Sequence, residues 1–310
     1  MRKKVSIIGA GNVGATTALY ISELDIADVV LVDVVDGIAK GKALDFMESS
    51  PVRGFHVNIT GISGYDEIAN SDIVVVTAGL ARKPGMTRED LLFRNAEIIA
   101  GITDQIKRKA PNCIIIMVTN PLDVMAYLAW KKSGFSHNKV IGMAGVLDSA
   151  RLKYFISKEL SISSKDIQAL VLGGHGDSMV PLSRFCTVSG IPITKLMSEE
   201  KVNELNERTK NAGAEIVEFL KTGSAYYSPA ASVAEMVETI LKSTKRILPC
   251  GAYLSGEYGL KDIYIGVPVV LGPLGIDRVI ELELTKEELN SLNSSAETIL
   301  KSIKLIDTVI

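Results

Sequence analysis

Five short apolar runs, at positions 5–8, 29–32, 73–77, 113–118 and 140–142, are rich in Val and Ile and scarcely alternate with polar residues. A strand with one wet face would alternate. These runs are expected to be buried on both faces, the condition of a parallel sheet covered by helices. Between two of them, Leu91, Ile98, Ile102 and Ile106 recur at steps of seven, four and four, one apolar stripe along a helix. Thr87 and Asp90 open that helix with capping-box spacing and Pro111 closes it. The first half therefore reads as repeated βαβ units, an α/β fold with a doubly wound parallel sheet.

The second half breaks the alternation. A helix from about Leu147, apolar strands over 167–172, helices over 199–220 and 230–241, strand-like stretches at 246–254 and 263–270, and an amphipathic helix over 286–303 describe an α+β arrangement. No linker rich in Pro, Gly or Ser divides the halves, so two domains, 1–145 and 146–310, are expected to meet in a tight junction near Gly145.

Gly9-Ala10-Gly11-Asn12-Val13-Gly14 follows the first apolar run and opens the first helix, where a dinucleotide-binding turn needs it. Gly9 permits the tight turn, Gly11 lets backbone approach a pyrophosphate, and Gly14 lets the helix pack on the strand. Glycines so spaced also occur in unrelated loops. Asp33 adds weight, because it ends the second strand about 20 residues on, where a carboxylate accepts hydrogen bonds from a ribose diol. The same charge repels a 2′-phosphate, and Val34 and Val35 offset nothing, so NAD is expected over NADP.

Thirty-four basic and 36 acidic side chains leave a net charge of −2, which gives no field to gather nucleic acid or an anionic membrane surface. No apolar stretch reaches the roughly 18 to 20 residues of a membrane-spanning helix. Arg2, Lys3 and Lys4 precede an apolar run too short for a secretion signal, so mature sequence is expected there. Cys113, Cys186 and Cys250 lie far apart without Cys-x-x-Cys spacing, which predicts reduced cytoplasmic thiols and no metal site.

Of three histidines, His56 falls in a strand-like run and His137 in a turn. His175 stands apart, flanked by glycines in Gly173-Gly174-His175-Gly176-Asp177 at a strand end, with room for a ligand. Asp148 and Arg151, three apart on a predicted helix, share a face. They form either a surface ion pair of little worth or a working pair in a cleft, the carboxylate orienting an imidazole and the guanidinium gripping a carboxylate. The segment 78–88 brings Arg82, Lys83 and Arg88 to the carboxyl end of a strand, either as a solvated loop or as a lid over the ligand crevice. Asn120, before Pro121, either donates a hydrogen bond into that crevice or begins a turn.

Taken together, the glycine motif, Asp33, the basic loop, Thr119-Asn120-Pro121, residues 147–151 and Gly174-His175-Gly176-Asp177 resemble the lactate/malate dehydrogenase family, in family order and over essentially the whole chain. The resemblance implies a Rossmann-type NAD domain followed by a catalytic domain, with a helix near 228–243 packing back towards the first. It implies reversible oxidation of a 2-hydroxy acid, with His175 as proton carrier and Asp148 as its partner. Arg151 would hold the C1 carboxylate, Arg88 the C2 oxygen, and Asn120 would add a hydrogen bond there. Gly9, Ala10, Gly11, Asn12, Val13, Gly14, Asp33, Asn95, Val118 and Asn120 would bind NAD. Arg82 stands where malate-specific members carry a second substrate arginine and lactate-specific ones usually a glutamine, and Ala225 aligns with a residue that limits substrate size. A dicarboxylate substrate, a place in the tricarboxylic acid cycle, a cytoplasmic setting and a homo-oligomer, a tetramer in preference to a dimer, are expected by the same resemblance. The rivals are a lactate or other 2-hydroxyacid dehydrogenase, an NAD-dependent glycosidase sensitive to chelators, and a silent NAD-binding protein that shows no turnover.

Overall fold

The computed structural model describes residues 2–80 and 87–306. In chain order the first half contains β1 (Lys4–Ile8), α1 (Asn12–Glu23), β2 (Asp28–Val32), α2 (Ile38–Arg53), β3 (Ile59–Ile62), β4 (Ile73–Val76), α3 (Arg88–Lys109), β5 (Ile114–Met117), α4 (Leu122–Ser133) and β6 (Val140–Gly142). Its strands stand side by side in the order β3-β2-β1-β4-β5-β6, every pair parallel. Val5, Ile7, Ile73, Val74, Val75, Ile115 and Ile116 are fully buried, which accounts for runs without polar alternation. The order reverses between β1 and β4, and the carboxyl ends of those strands form the crevice where such sheets bind ligands.

The second half comprises α5 (Gly145–Leu160), β7 (Ile167–Gln168), β8 (Val171–Gly173), β9 (Met179–Pro181), β10 (Thr187–Val188), β11 (Ile191–Pro192), α6 (Glu199–Leu220), α7 (Tyr227–Leu241), β12 (Arg246–Ser255), β13 (Lys261–Gly272), β14 (Gly275–Val279) and α8 (Lys286–Leu305). The apolar strands expected over 167–172 are two short ones that part company: β7 joins a small sheet with β10 and β11, while β8 pairs with β13 in the main sheet. The main sheet also crosses the expected boundary. β12 pairs antiparallel with β6 through Gly251 and Gly142, so eleven strands form one continuous sheet. A Cβ on Gly251 would lie 3.0 Å from the Gly142 Cα, a contact that leaves no room for a side chain.

Packing follows the same logic. Val233, Met236, Val237 and Ile240 of α7 share one core with the strands of the first half, and α7 lies against α1. A smaller core holds Leu152, Phe155, Ile156, Val202 and Leu205 between α5 and α6. The stripe on α3 keeps two residues of its expected line and turns away at its start: Ile102 and Ile106 are buried with Leu92, Ala96 and Ile99, whereas Leu91 and Ile98 are half-buried. Ile98, and one side of the buried Ile102, also line the crevice, which needs apolar walls as much as the core does. Thr87 and Asp90 do form a reciprocal capping box, each backbone N–H bonded to the other's side chain at 3.0 Å.

Candidate active site

The glycine turn is shaped by what its missing side chains allow. Gly9 has φ +109°, a region that L side chains rarely adopt. A Cβ on Gly14 would come within 1.8 Å of the Gly9 carbonyl oxygen, so only glycine lets α1 start this close to β1. At Gly11 a Cβ would meet nothing within 4 Å, which leaves the start of α1 open to an incoming phosphate. Ala10 is buried, Asn12 is exposed and Val13 half-buried at this helix start. Asp33, at the end of β2, accepts the Ala10 N–H at 2.8 Å and the Val35 N–H at 3.0 Å. Gly9, Gly11 and Asp33 border a cleft of about 600 Å³ whose other wall is Thr77, Gly79, Ile98 and Ile102. An open cradle at a helix N-terminus, a carboxylate and apolar walls fit a dinucleotide.

Asn95 is buried in α3 and spends its amide on backbone: its Oδ1 accepts the Leu80 N–H at 2.8 Å and its Nδ2 donates to the Asn120 carbonyl at 2.7 Å. It thereby ties the strand ends of β4 and β5 together. Val118 is buried just beyond β5, and Asn120 is exposed two residues later.

His175 and Asp148 come from two elements pressed together. A Cβ on Gly145 would sit 2.4 Å from the Val171 carbonyl oxygen, and the Val171 N–H donates to Ser149 Oγ at 3.0 Å. That close seat of α5 on β8 brings Asp148, in the first turn of α5, to His175, in the loop after β8. Asp148 Oδ2 lies 2.9 Å from His175 Nδ1, and its Oδ1 lies 3.4 Å from Arg151 Nη1. Their side chains are 2% (Asp148), 12% (His175) and 12% (Arg151) exposed, so the surface ion pair is ruled out. An ionised carboxylate only accepts, which puts the proton on Nδ1 and leaves Nε2 free. Burial pushes the His175 pKa down, but the Asp148 charge and hydrogen bond outweigh it, and the ring titrates above its ordinary 6.5. Burial also pushes Arg151 down while Asp148 holds it up, and Arg151 Nε finds no partner among the described residues. A buried guanidinium with a spare N–H is a receptor for an anion.

His175, Arg88 and Asn120 line a second cleft of about 500 Å³, closed on one side by Thr298 and Ile299 of α8. Arg88 begins α3 and bonds Asp177 at 3.1 Å through a largely exposed pair. Ser295 of α8 steadies the histidine loop, accepting the Gly174 N–H at 2.8 Å. Ala225 is half-buried between α6 and α7. Arg82 lies outside the described residues. His56 and His137 lie away from the site; His56 pairs with Asp25 at 3.2 Å on the surface. Sequence reasoning overlooked Asp123, whose Oδ2 accepts the His175 N–H at 3.0 Å. The signal was a lone carboxylate in the apolar run Leu122-Asp123-Val124-Met125. Nothing in sequence singled out Ser295.

Among the described residues no helix is long and apolar enough to cross a membrane, and no group of three or more His, Cys, Asp or Glu could hold a metal. Residues 3–142 match the lactate/malate dehydrogenase NAD-binding domain, and residues 145–309 the lactate/malate dehydrogenase alpha/beta C-terminal domain. A malate dehydrogenase of Roseiflexus castenholzii is 54% identical over 303 residues, 98% of each chain. The apo malate dehydrogenase of Picrophilus torridus superposes with a TM-score of 0.97 at 44% identity, covering 100% of this chain and 98% of that one. A lactate dehydrogenase of Cryptosporidium parvum, solved with lactic acid and nicotinamide adenine dinucleotide, superposes at 0.96 with 40% identity, covering 99% and 98%. The chain belongs to the lactate/malate dehydrogenase family, whose first domain binds NAD.

Proposed function

We propose that this enzyme is an NAD-dependent malate dehydrogenase, interconverting malate and oxaloacetate. The observation that carries the reading is His175 bonded through Nδ1 to buried Asp148, with the Arg151 guanidinium only partly satisfied beside them. Gly9, Ala10, Gly11, Asn12, Val13 and Gly14 would hold the pyrophosphate and Asp33 the ribose, with Val118 and Asn120 at the nicotinamide end. Asn95 would act by fixing the Leu80 and Asn120 backbones. When bound, NAD supplies the hydride acceptor and donor. His175 Nε2 takes the C2 hydroxyl proton in oxidation and returns it in reduction, while Asp148 orients the ring and stabilises imidazolium. Arg151 clamps the C1 carboxylate through its two-pronged donor face. Arg88 polarises the C2 oxygen, with Asn120 as a further donor, and Arg82 pairs with the distal carboxylate. Ala225, small and half-buried, leaves room for a four-carbon diacid. The boundary near Gly145 divides an NAD domain from a catalytic one.

Magnitude separates this reading from a lactate dehydrogenase. Leaving a buried carboxylate without its cation costs about 3 to 5 kcal/mol, roughly two to four decades in rate. NADH oxidation with a panel of 2-oxo acids should therefore favour oxaloacetate over pyruvate by at least about a hundredfold in kcat/KM. Arg82→Gln should erase most of that ratio. A wild-type preference for pyruvate would overturn the reading, and the same panel with NADPH checks the cofactor choice made by Asp33.

The enzyme is also read as a cytoplasmic member of the tricarboxylic acid cycle, in keeping with three buried free thiols. Its assembly is read as a homo-oligomer, in keeping with large apolar side chains left uncovered on four helices, Leu44 and Val52 on α2, Tyr154 on α5, Phe219 on α6 and Tyr227 on α7; the preference for a tetramer over a dimer rests on the family resemblance.

A further inference from the structure

Asp123 stands in the first turn of α4, three residues beyond Asn120, and is only 4% exposed. Its Oδ2 accepts the main-chain N–H of His175 at 3.0 Å, from a residue 52 positions away. Its Oδ1 finds no partner among the described residues. Leu122, Val124 and Met125 around it are buried and apolar. An unpaired carboxylate oxygen in such a place is costly, and an asparagine of the same shape could accept the His175 N–H without carrying a charge. The charge itself therefore calls for an explanation, and among the groups it acts on is the imidazole of His175, whose main chain it holds.

We propose that Asp123 is a positioning residue for the proton carrier: it fixes the main chain of His175 against α4 and, together with Asp148, supplies a second negative charge that favours imidazolium. The proposal rests on reading His175 as that carrier. Every packed element enters the balance. α5 presents Asp148 and Arg151, and the start of α3 presents Arg88 and Glu89. The histidine's own loop adds Asp177, already paired with Arg88, and α8 offers only the uncharged Ser295, Thr298 and Ser302. Burial pushes the Asp123 pKa up to about 6, against the His175 N–H that draws it down. Asp123 therefore keeps its charge down to a lower pH than the raised His175 does its neutral form, so the charge is present when the imidazole takes its proton.

The test is an NMR titration of the His175 imidazole in the full-length ligand-free protein, its signal identified by its loss in His175→Asn. In Asp123→Asn the midpoint should fall by about 1 unit or more, since one charge removed from within about 12 Å at an effective dielectric of about 20 changes the balance by at least about 1.4 kcal/mol. The acidic limb of kcat/KM for malate oxidation should fall with it. An unmoved or raised midpoint overturns the proposal, even if turnover or melting temperature drops, because a purely structural Asp123 would change those alone. A fallen midpoint with an unmoved kinetic limb supports the role of Asp123 and overturns instead the assignment of His175 as proton carrier. Should Asp123→Asn not fold, the wild-type curve decides: two coupled groups give His175 a second inflection near the titration of Asp123, and a single clean step overturns the proposal.

Discussion

Asp148 serves two neighbours at once, one oxygen towards His175 and the other towards Arg151, and this sharing sets the chemistry. Because the Asp148 charge and hydrogen bond raise the ring's pKa, the enzyme keeps the proton that oxaloacetate reduction needs to a higher pH than a free imidazole would. As pH rises through that pKa, kcat/KM for reduction should fall and kcat/KM for malate oxidation should rise. Parallel pH profiles in the two directions would contradict the assignment. Replacing His175 with Asn should remove nearly all turnover while NADH affinity, followed by fluorescence, stays at the wild-type value. The chemical candidates were legible as residues because histidine is scarce here and glycines surround only His175. Their grouping was not legible, since a carboxylate three residues before an arginine looks the same on a wet surface as in a closed cleft.

At the scale of elements, the site depends on how closely neighbours approach. α1 starts against β1 because Gly14 has no side chain, and α5 seats on β8 because Gly145 has none. Gly14→Ala would force its new methyl into the Gly9 carbonyl and push α1 away from the turn. The expected loss is about 1 to 3 kcal/mol of stability, the usual range for overpacking, together with at least a tenfold weaker NADH affinity. Thermal melting and an NADH titration check both; unchanged affinity in a folded variant would remove the glycine turn from cofactor binding. The helix over 199–220 was readable in full because its period and its Ser198 cap agree. The strands at β3 and β14 were not, because they are short and lean on neighbours for their identity.

For the molecule as a whole, the continuous eleven-stranded sheet locks the two halves through Gly142 and Gly251, and α7 reinforces the lock by lying against α1. This junction sets the histidine loop, which follows β8, in the same sheet as the strands whose carboxyl ends form the crevice. Sedimentation or light scattering of the purified protein should give the mass of a tetramer, with Leu44, Val52, Phe219 and Tyr227 protected in exchange or labelling experiments; a monomer at micromolar concentration would refute that assembly. Local rules were enough for the sequence to determine the βαβ half, the glycine turn and the identity of the charged candidates, because periodicity, caps and glycine spacing act within a few residues of one another. The sheet that spans both halves, the burial of Asp148 with Arg151, and the hold of Asp123 and Ser295 on the histidine loop were decided only by tertiary structure. Each joins segments tens of residues or more apart, and a buried charge differs from an exposed one only once its neighbours are in place.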